Sequence, residues 1–163
     1  MNLAYVAGLF DGEGCVRFGR VRTSTFPVVM LTNTNIDVLY ALQKAFGGDV
    51  RALSKRKQGW KQGWYWRISW SRAVDFLDRI FPWLRIKSNQ ASTVFAWDAI
   101  RLGSGTATKA NRQEYDDSVR LLVDRMRWLN KKGEHDTPDP VEVVIFHSIA
   151  TILCRALSGG TNV

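Results

Sequence analysis

Cysteine and histidine are scarce in this chain, two of each, and their placement excludes most chemistry built on them. Cys15 and Cys154 show no CxxC spacing and sit among apolar residues, the pattern of buried, reduced thiols in a cytosolic compartment. His135 and His147 lack the spacing of zinc ligands. No apolar run approaches the roughly 18 residues of a membrane span, and the amino terminus has no basic and apolar stretch ending in a cleavage site. The expectation is a protein of the cytoplasm, an organelle or a phage-host nucleoid, neither secreted nor membrane-bound. Internal repeats are also missing. At 163 residues the chain suffices for one domain with a substantial core rather than two.

Acid is scarce in one stretch. Residues 14–74 hold 11 Lys/Arg against 2 Asp/Glu, while the remainder holds 12 against 13, so the whole net charge of +8 belongs to that stretch. A solvated face often carries a charge run, but segregation this complete fits a surface turned toward a polyanion, with the rest as scaffold.

The segment Val6-Ala7-Gly8-Leu9-Phe10-Asp11-Gly12-Glu13-Gly14 is the most informative in the chain. Leu3, Val6, Leu9 and Phe10 recur at helical spacing, and Ala7 and Gly8 leave a face on which another backbone can come close. The helical run is expected to stop after Phe10, which would leave Asp11 and Glu13 at a helix-to-strand junction, able to reach a shared point. On periodicity alone, an amphipathic helix with a glycine cap and a solvated acid pair is an equal reading.

Cys15–Val21 and Phe26–Thr34 read as strands joined by Arg22-Thr23-Ser24-Thr25. A helix follows from Ile36 to Phe46, capped by Asn35 and by Gly47-Gly48. Asp49–Lys55 and Trp64–Trp70 form a second strand pair around a basic loop, Arg56–Gly63, and another helix runs from about Arg72 to Ile80. Pro82 stops it, and further helices are expected over Ser88–Leu102, from near Asn111 to Lys131-Lys132-Gly133, and over Val141–Leu157. Residues 1–133 read as the core and 134–163 as a linker and helical extension of the same domain, with a disordered tail from Ser158. The last helix either covers the scaffold or adds to a subunit contact.

If helices cover one face of the four strands, period-2 alternation turns Val16, Phe18, Val50, Ala52, Trp66, Ile68 and Trp70 inward. Arg17, Arg51, Leu53, Lys55, Tyr65, Arg67 and Ser69 then face outward. Arginine and lysine on a curved antiparallel sheet suit a reader of the DNA major groove. Arg20, Arg22, Arg56, Lys57 and Lys61 would extend the footprint as phosphate contacts. Trp60, Trp64 and Trp83 read either as core or as stacking platforms, core being the commoner use of tryptophan.

The nine residues from Val6 to Gly14 resemble the signature of the LAGLIDADG homing endonucleases, with Val6 for the first leucine, Phe10 for isoleucine, Gly12 for alanine and Glu13 for the second aspartate. Pro82-Trp83-Leu84-Arg85-Ile86-Lys87-Ser88-Asn89-Gln90 is similar to a second stretch of that family, PxLxxKxxQ. The resemblance implies an α+β fold of αββαββα order with a four-stranded antiparallel DNA-binding sheet, here with additional carboxy-terminal helices. It implies that two motif helices pack face to face; with one motif per chain the second would come from a homodimer, through Val6, Ala7, Gly8, Phe10 and Asp11.

It also implies that Glu13, with the Gly12 carbonyl, binds Mg²⁺ (or Mn²⁺), that Asp11 bonds to backbone where the helices cross, and that Lys87 stabilises charge at the scissile phosphate. Many members place a water-positioning glutamine on the second strand; the aligned residue here is Thr32, followed by Asn33. The expected protein is an intron-encoded hydrolase that cuts double-stranded DNA at a long, roughly palindromic target. The competing expectations are a fold-retaining binder without cleavage, such as an RNA maturase or DNA-binding regulator, and a monomeric basic α+β domain.

Overall fold

The computed structural model describes residues 1–54, 59–103, 112–131 and 139. They belong to two compact units, Met1–Val94 and Phe95–Val163. The expected final helix, the tail and the thiol Cys154 lie outside the described residues, as do Lys55, Arg56 and Lys57.

The first unit runs α1 (Leu3–Glu13), β1 (Gly14–Val21), β2 (Ser24–Asn33), α2 (Ile36–Phe46), β3 (Asp49–Ala52), β4 (Trp64–Ser69) and α3 (Ser71–Ile80). This is the expected αββαββα order. A single 3₁₀ turn, Phe81–Trp83, leads to α4 (Ser88–Gly103), which begins in the first unit and runs into the second. The second unit also holds α5 (Arg112–Leu129), with Val119, Leu122 and Met126 buried.

Asn2 opens α1 by accepting hydrogen bonds from the Ala4 and Tyr5 amides, and Asn35 opens α2 by accepting one from Asp37. Each side chain satisfies an amide that has no partner within its helix. The sheet has the order β1-β2-β4-β3 with every pair antiparallel. The first hairpin is tighter than expected: Val21 pairs with Ser24, so only Arg22 and Thr23 form the turn, with Arg22 at φ 52°.

Cross-strand partners share a face, so the register sorts the strands without ambiguity. Val16 opposite Val29, Leu31 opposite Trp66, and Val29 opposite Ile68 form the helix-covered face, all but inaccessible to solvent. Beneath α1 and α3 the core is largely aromatic. Phe10 meets Phe76 edge-on at 5.4 Å, Phe76 meets Trp66 at 5.1 Å and Phe46 at 5.0 Å. Each such pair adds about 0.5–1.5 kcal/mol beyond its burial.

Trp70 departs from the alternation. Its φ of 59° ends β4, leaves it 43% exposed, and lets its ring stack on Phe26 at 4.4 Å. Phe26 lies opposite Gly19 on the outer side of the sheet, and Val28 on the same side is fully buried, so that side is not uniformly polar.

Candidate active site and nucleic-acid interface

Helix α1 does not stop at Phe10 but continues through Asp11, Gly12 and Glu13. The Gly14 amide closes the last turn on the Phe10 carbonyl, and a Cβ at Gly14 would collide with the Phe10 ring and that carbonyl. This corrects the expected shared acid pair. Two residues apart on a helix means roughly 200° of rotation, so the carboxylates point to opposite sides.

Asp11 points in and is only 8% exposed. Its carboxylate accepts hydrogen bonds from the Arg85 amide (2.7 Å) and the Lys87 amide (3.0 Å), and its carbonyl accepts one from the Lys87 ammonium. Asp11 therefore does bond to backbone, but to the segment after α3 of its own chain rather than at a helix crossing. The same three bonds carry Lys87 to the last turn of α1, one residue from Gly12. The two stretches that carried the family resemblance are thus stitched together.

Glu13 points out. It is exposed, and its carboxylate makes no hydrogen bond or ion pair among the described residues. The Gly12 carbonyl belongs to the last turn, where helical carbonyls lack an intrahelical partner. A carboxylate and a carbonyl are hard oxygen donors of the kind Mg²⁺ takes, yet no group of three or more His, Cys, Asp or Glu side chains gathers among the described residues. The donor set fits a divalent ion only in part, and a second chain, phosphate oxygens or water would have to complete it.

The face of α1 proposed for a second copy needs revision. Val6, Ala7 and Phe10 are 0% exposed, inside their own chain's core, and have no surface to offer. The exposed stripe is Ala4, Tyr5, Gly8 and Gly12, with Leu9 half-buried, and a Cβ on Gly8 or Gly12 would meet nothing within 4 Å. Of the five residues first assigned to contact, only Gly8 lies on that stripe. Tyr5 joins Gly8 and Gly12 on the stripe because its spacing to them is that of one helix face.

On the outer sheet face, Arg67 lies opposite Met30 and Asp49, Tyr65 opposite Thr32 and Arg51, and Ser69 opposite Val28, which lies opposite Arg17. The structure therefore gathers Arg17, Arg51, Tyr65, Arg67 and Ser69 as alternation required. Thr32 is half-buried on this same face, beside Tyr65. Asn33 instead spends its side-chain oxygen on the Asn35 amide at 2.8 Å, in the turn into α2.

Arg20 has the strand parity of Val16 rather than of Arg17, and its guanidinium turns back to the Arg22 carbonyl at 3.2 Å. Arg22 and Lys61 are exposed. Trp60 and Trp83 are exposed and Trp64 is half-buried, so none is a core residue.

Cys15 is exposed rather than buried, because its place opposite Met30 puts it on this outer face. Strand parity with Arg17 carried that signal. Leu53 is the last outward residue of its run that is described; β3 ends at Ala52, which is itself exposed. A cavity of about 260 Å³ opens on the outer face, lined by Asp49, Arg51, Tyr65, Arg67 and Ser69.

A model of the LAGLIDADG-like domain matches residues 1–80. The fold is that of solved homing endonucleases. The crystal structure of homing endonuclease I-CvuI in complex with its target superposes with a TM-score of 0.62 at 20% identity, over 94% of this chain and 92% of that one. An archaeal intron-encoded homing endonuclease, I-Vdi141I, complexed with DNA, gives 0.60 at 16% identity, over 95% and 96%. Homing endonuclease I-TnaI gives 0.54 at 20% identity, over 95% and 97%. No curated protein matches the sequence.

Proposed function

Because this chain belongs to the LAGLIDADG family, through the LAGLIDADG-like domain of residues 1–80, we propose that it is a site-specific DNA endonuclease that works as a homodimer. The observation that carries this reading is the division at the end of α1. Asp11 is consumed by backbone amides, while the Glu13 carboxylate is exposed and unpaired among the described residues, with the Lys87 ammonium held at the Asp11 carbonyl. A scaffold gains nothing from an unpaired anion at the foot of a basic sheet, whereas a phosphoryl-transfer site uses both groups.

Each chain would lay Arg17, Arg51, Arg67 and Tyr65 along the major groove of one half-site, so that a roughly palindromic target mirrors the dimer. Arg22 and Lys61 would hold phosphates. Glu13 and the Gly12 carbonyl would hold Mg²⁺ between the two chains. Bound there, the ion supplies Lewis-acid polarisation of the phosphate and a more acidic water. Lys87 adds positive charge toward developing phosphate charge, pre-positioned by its bond to Asp11. The Thr32 hydroxyl, on the sheet face beside Tyr65, is the second-strand group available to orient a water.

The test is nicking and linearisation of a plasmid that carries the uninterrupted insertion site of the chain's own gene. Cutting in Mg²⁺ or Mn²⁺, abolished by Glu13→Gln with binding intact, supports the enzyme. Nanomolar binding without cutting in either metal would leave a DNA-binding protein and remove the nuclease.

A further inference from the structure

On the four strands there is one acidic residue, Asp49, and it lies on the outer face. Its strand partner is Arg67, directly opposite, and its carboxylate stands 3.9 Å from the Arg51 guanidinium. Both members of that pair are about two-thirds exposed, at 67% and 69%, and an exposed pair at this separation contributes little to folding. A carboxylate on a surface turned to phosphates also opposes binding to any duplex. Its presence needs another reason.

The backbone at Asp49 is fixed from behind. Gly47 and Gly48 have φ of 73° and 92°, and a Cβ at Gly48 would overlap the Arg67 carbonyl and the Ile68 side chain. The Gly48 carbonyl accepts a hydrogen bond from the Gln43 side chain at 3.0 Å, and the Gly47 carbonyl one from the Trp66 indole at 2.8 Å. Asp49 thus enters the sheet from a tethered turn, at the rim of the cavity it shares with Arg51, Tyr65, Arg67 and Ser69.

An ionised carboxylate only accepts hydrogen bonds, and a guanidinium only donates. In the major groove a G·C pair presents the N7 and O6 acceptors of guanine beside the amine donor of cytosine. We infer that Asp49 is a specificity-determining residue that accepts from the exocyclic amine of cytosine, with a neighbouring arginine on the paired guanine. Bases that present an acceptor at that point, guanine and thymine, are repelled by the same charge. This assignment rests on the sheet being the DNA-reading face.

The test is selection of bound sequences from a random duplex DNA pool by the wild type, Asp49→Ala and Asp49→Asn. The wild type should fix a C at one position of each half-site. Asp49→Ala should lose that preference by roughly tenfold or more at that position alone, in line with the cost of a lost base contact, while its binding to unselected DNA tightens. Asparagine can serve both N6 and N7 of adenine, so Asp49→Asn should move the preference from C toward A. A profile unchanged in Asp49→Ala, or weakened evenly at all positions, overturns the assignment alone. A wild type that enriches no sequence overturns the DNA-reading face as well.

Discussion

Asp11 and Glu13 have the same chemistry and different fates, and helix geometry separates them. With the helix carried through both, Asp11 enters the protein and finds two amides, while the Glu13 carboxylate emerges with no partner among the described residues. Asp11→Asn should destabilise the fold by about 1–3 kcal/mol, because one amide then faces an NH₂ group instead of an acceptor; urea unfolding measures it, and an unchanged midpoint would contradict the role. Glu13→Gln should leave the unfolding midpoint unchanged while reducing cleavage by about a hundredfold or more, the scale of removing charge stabilisation at a phosphate. Quenched-flow cleavage beside an equilibrium binding curve separates the two effects. The residue types were legible in the sequence. Their opposite orientations were not, since they depended on whether the helix ended before or after Asp11, and the amides that decide it come from residues 85–87, over seventy positions away.

At the level of elements, α1 has two faces with different work. Val6, Ala7 and Phe10 pack on the aromatic core around Phe76, and Tyr5, Gly8 and Gly12 remain on the open side. Gly8→Leu should therefore fold as the wild type does, since its side chain meets open space, yet lose dimerisation and cutting together. Sedimentation velocity checks this, and a dimer that survives the leucine would show that α1 is not the contact. The strands teach a similar lesson. Alternation put Arg17, Arg51, Arg67 and Tyr65 on one face from sequence alone, because the strand period is fixed by the backbone. Trp70 escaped that rule because a positive φ ended β4 one residue early and swung its ring onto Phe26. Gly48→Ala should cost about 1–3 kcal/mol, combining a positive φ with overlap on Arg67 and Ile68, and should blur the base preference attributed to Asp49 before it abolishes binding.

Over the whole molecule, the excess of positive over negative charge falls in residues 14–74, within the LAGLIDADG-like domain at residues 1–80. DNA affinity should accordingly fall steeply with salt, by about a thousandfold between 50 and 200 mM if six or more phosphates are neutralised per complex; fluorescence anisotropy across a salt series measures the slope, and a flat response would exclude a phosphate-tracking surface. Composition, strand period and helix caps are local properties. For that reason the order of elements, the outward basic residues and the two family stretches could all be read along the chain. Tertiary structure alone decided which side of α1 is free, that Lys87 docks on the end of that helix, and that Asp49 and Arg67 face each other across strands. Those facts depend on register and on contacts between residues far apart in sequence, which no local pattern encodes.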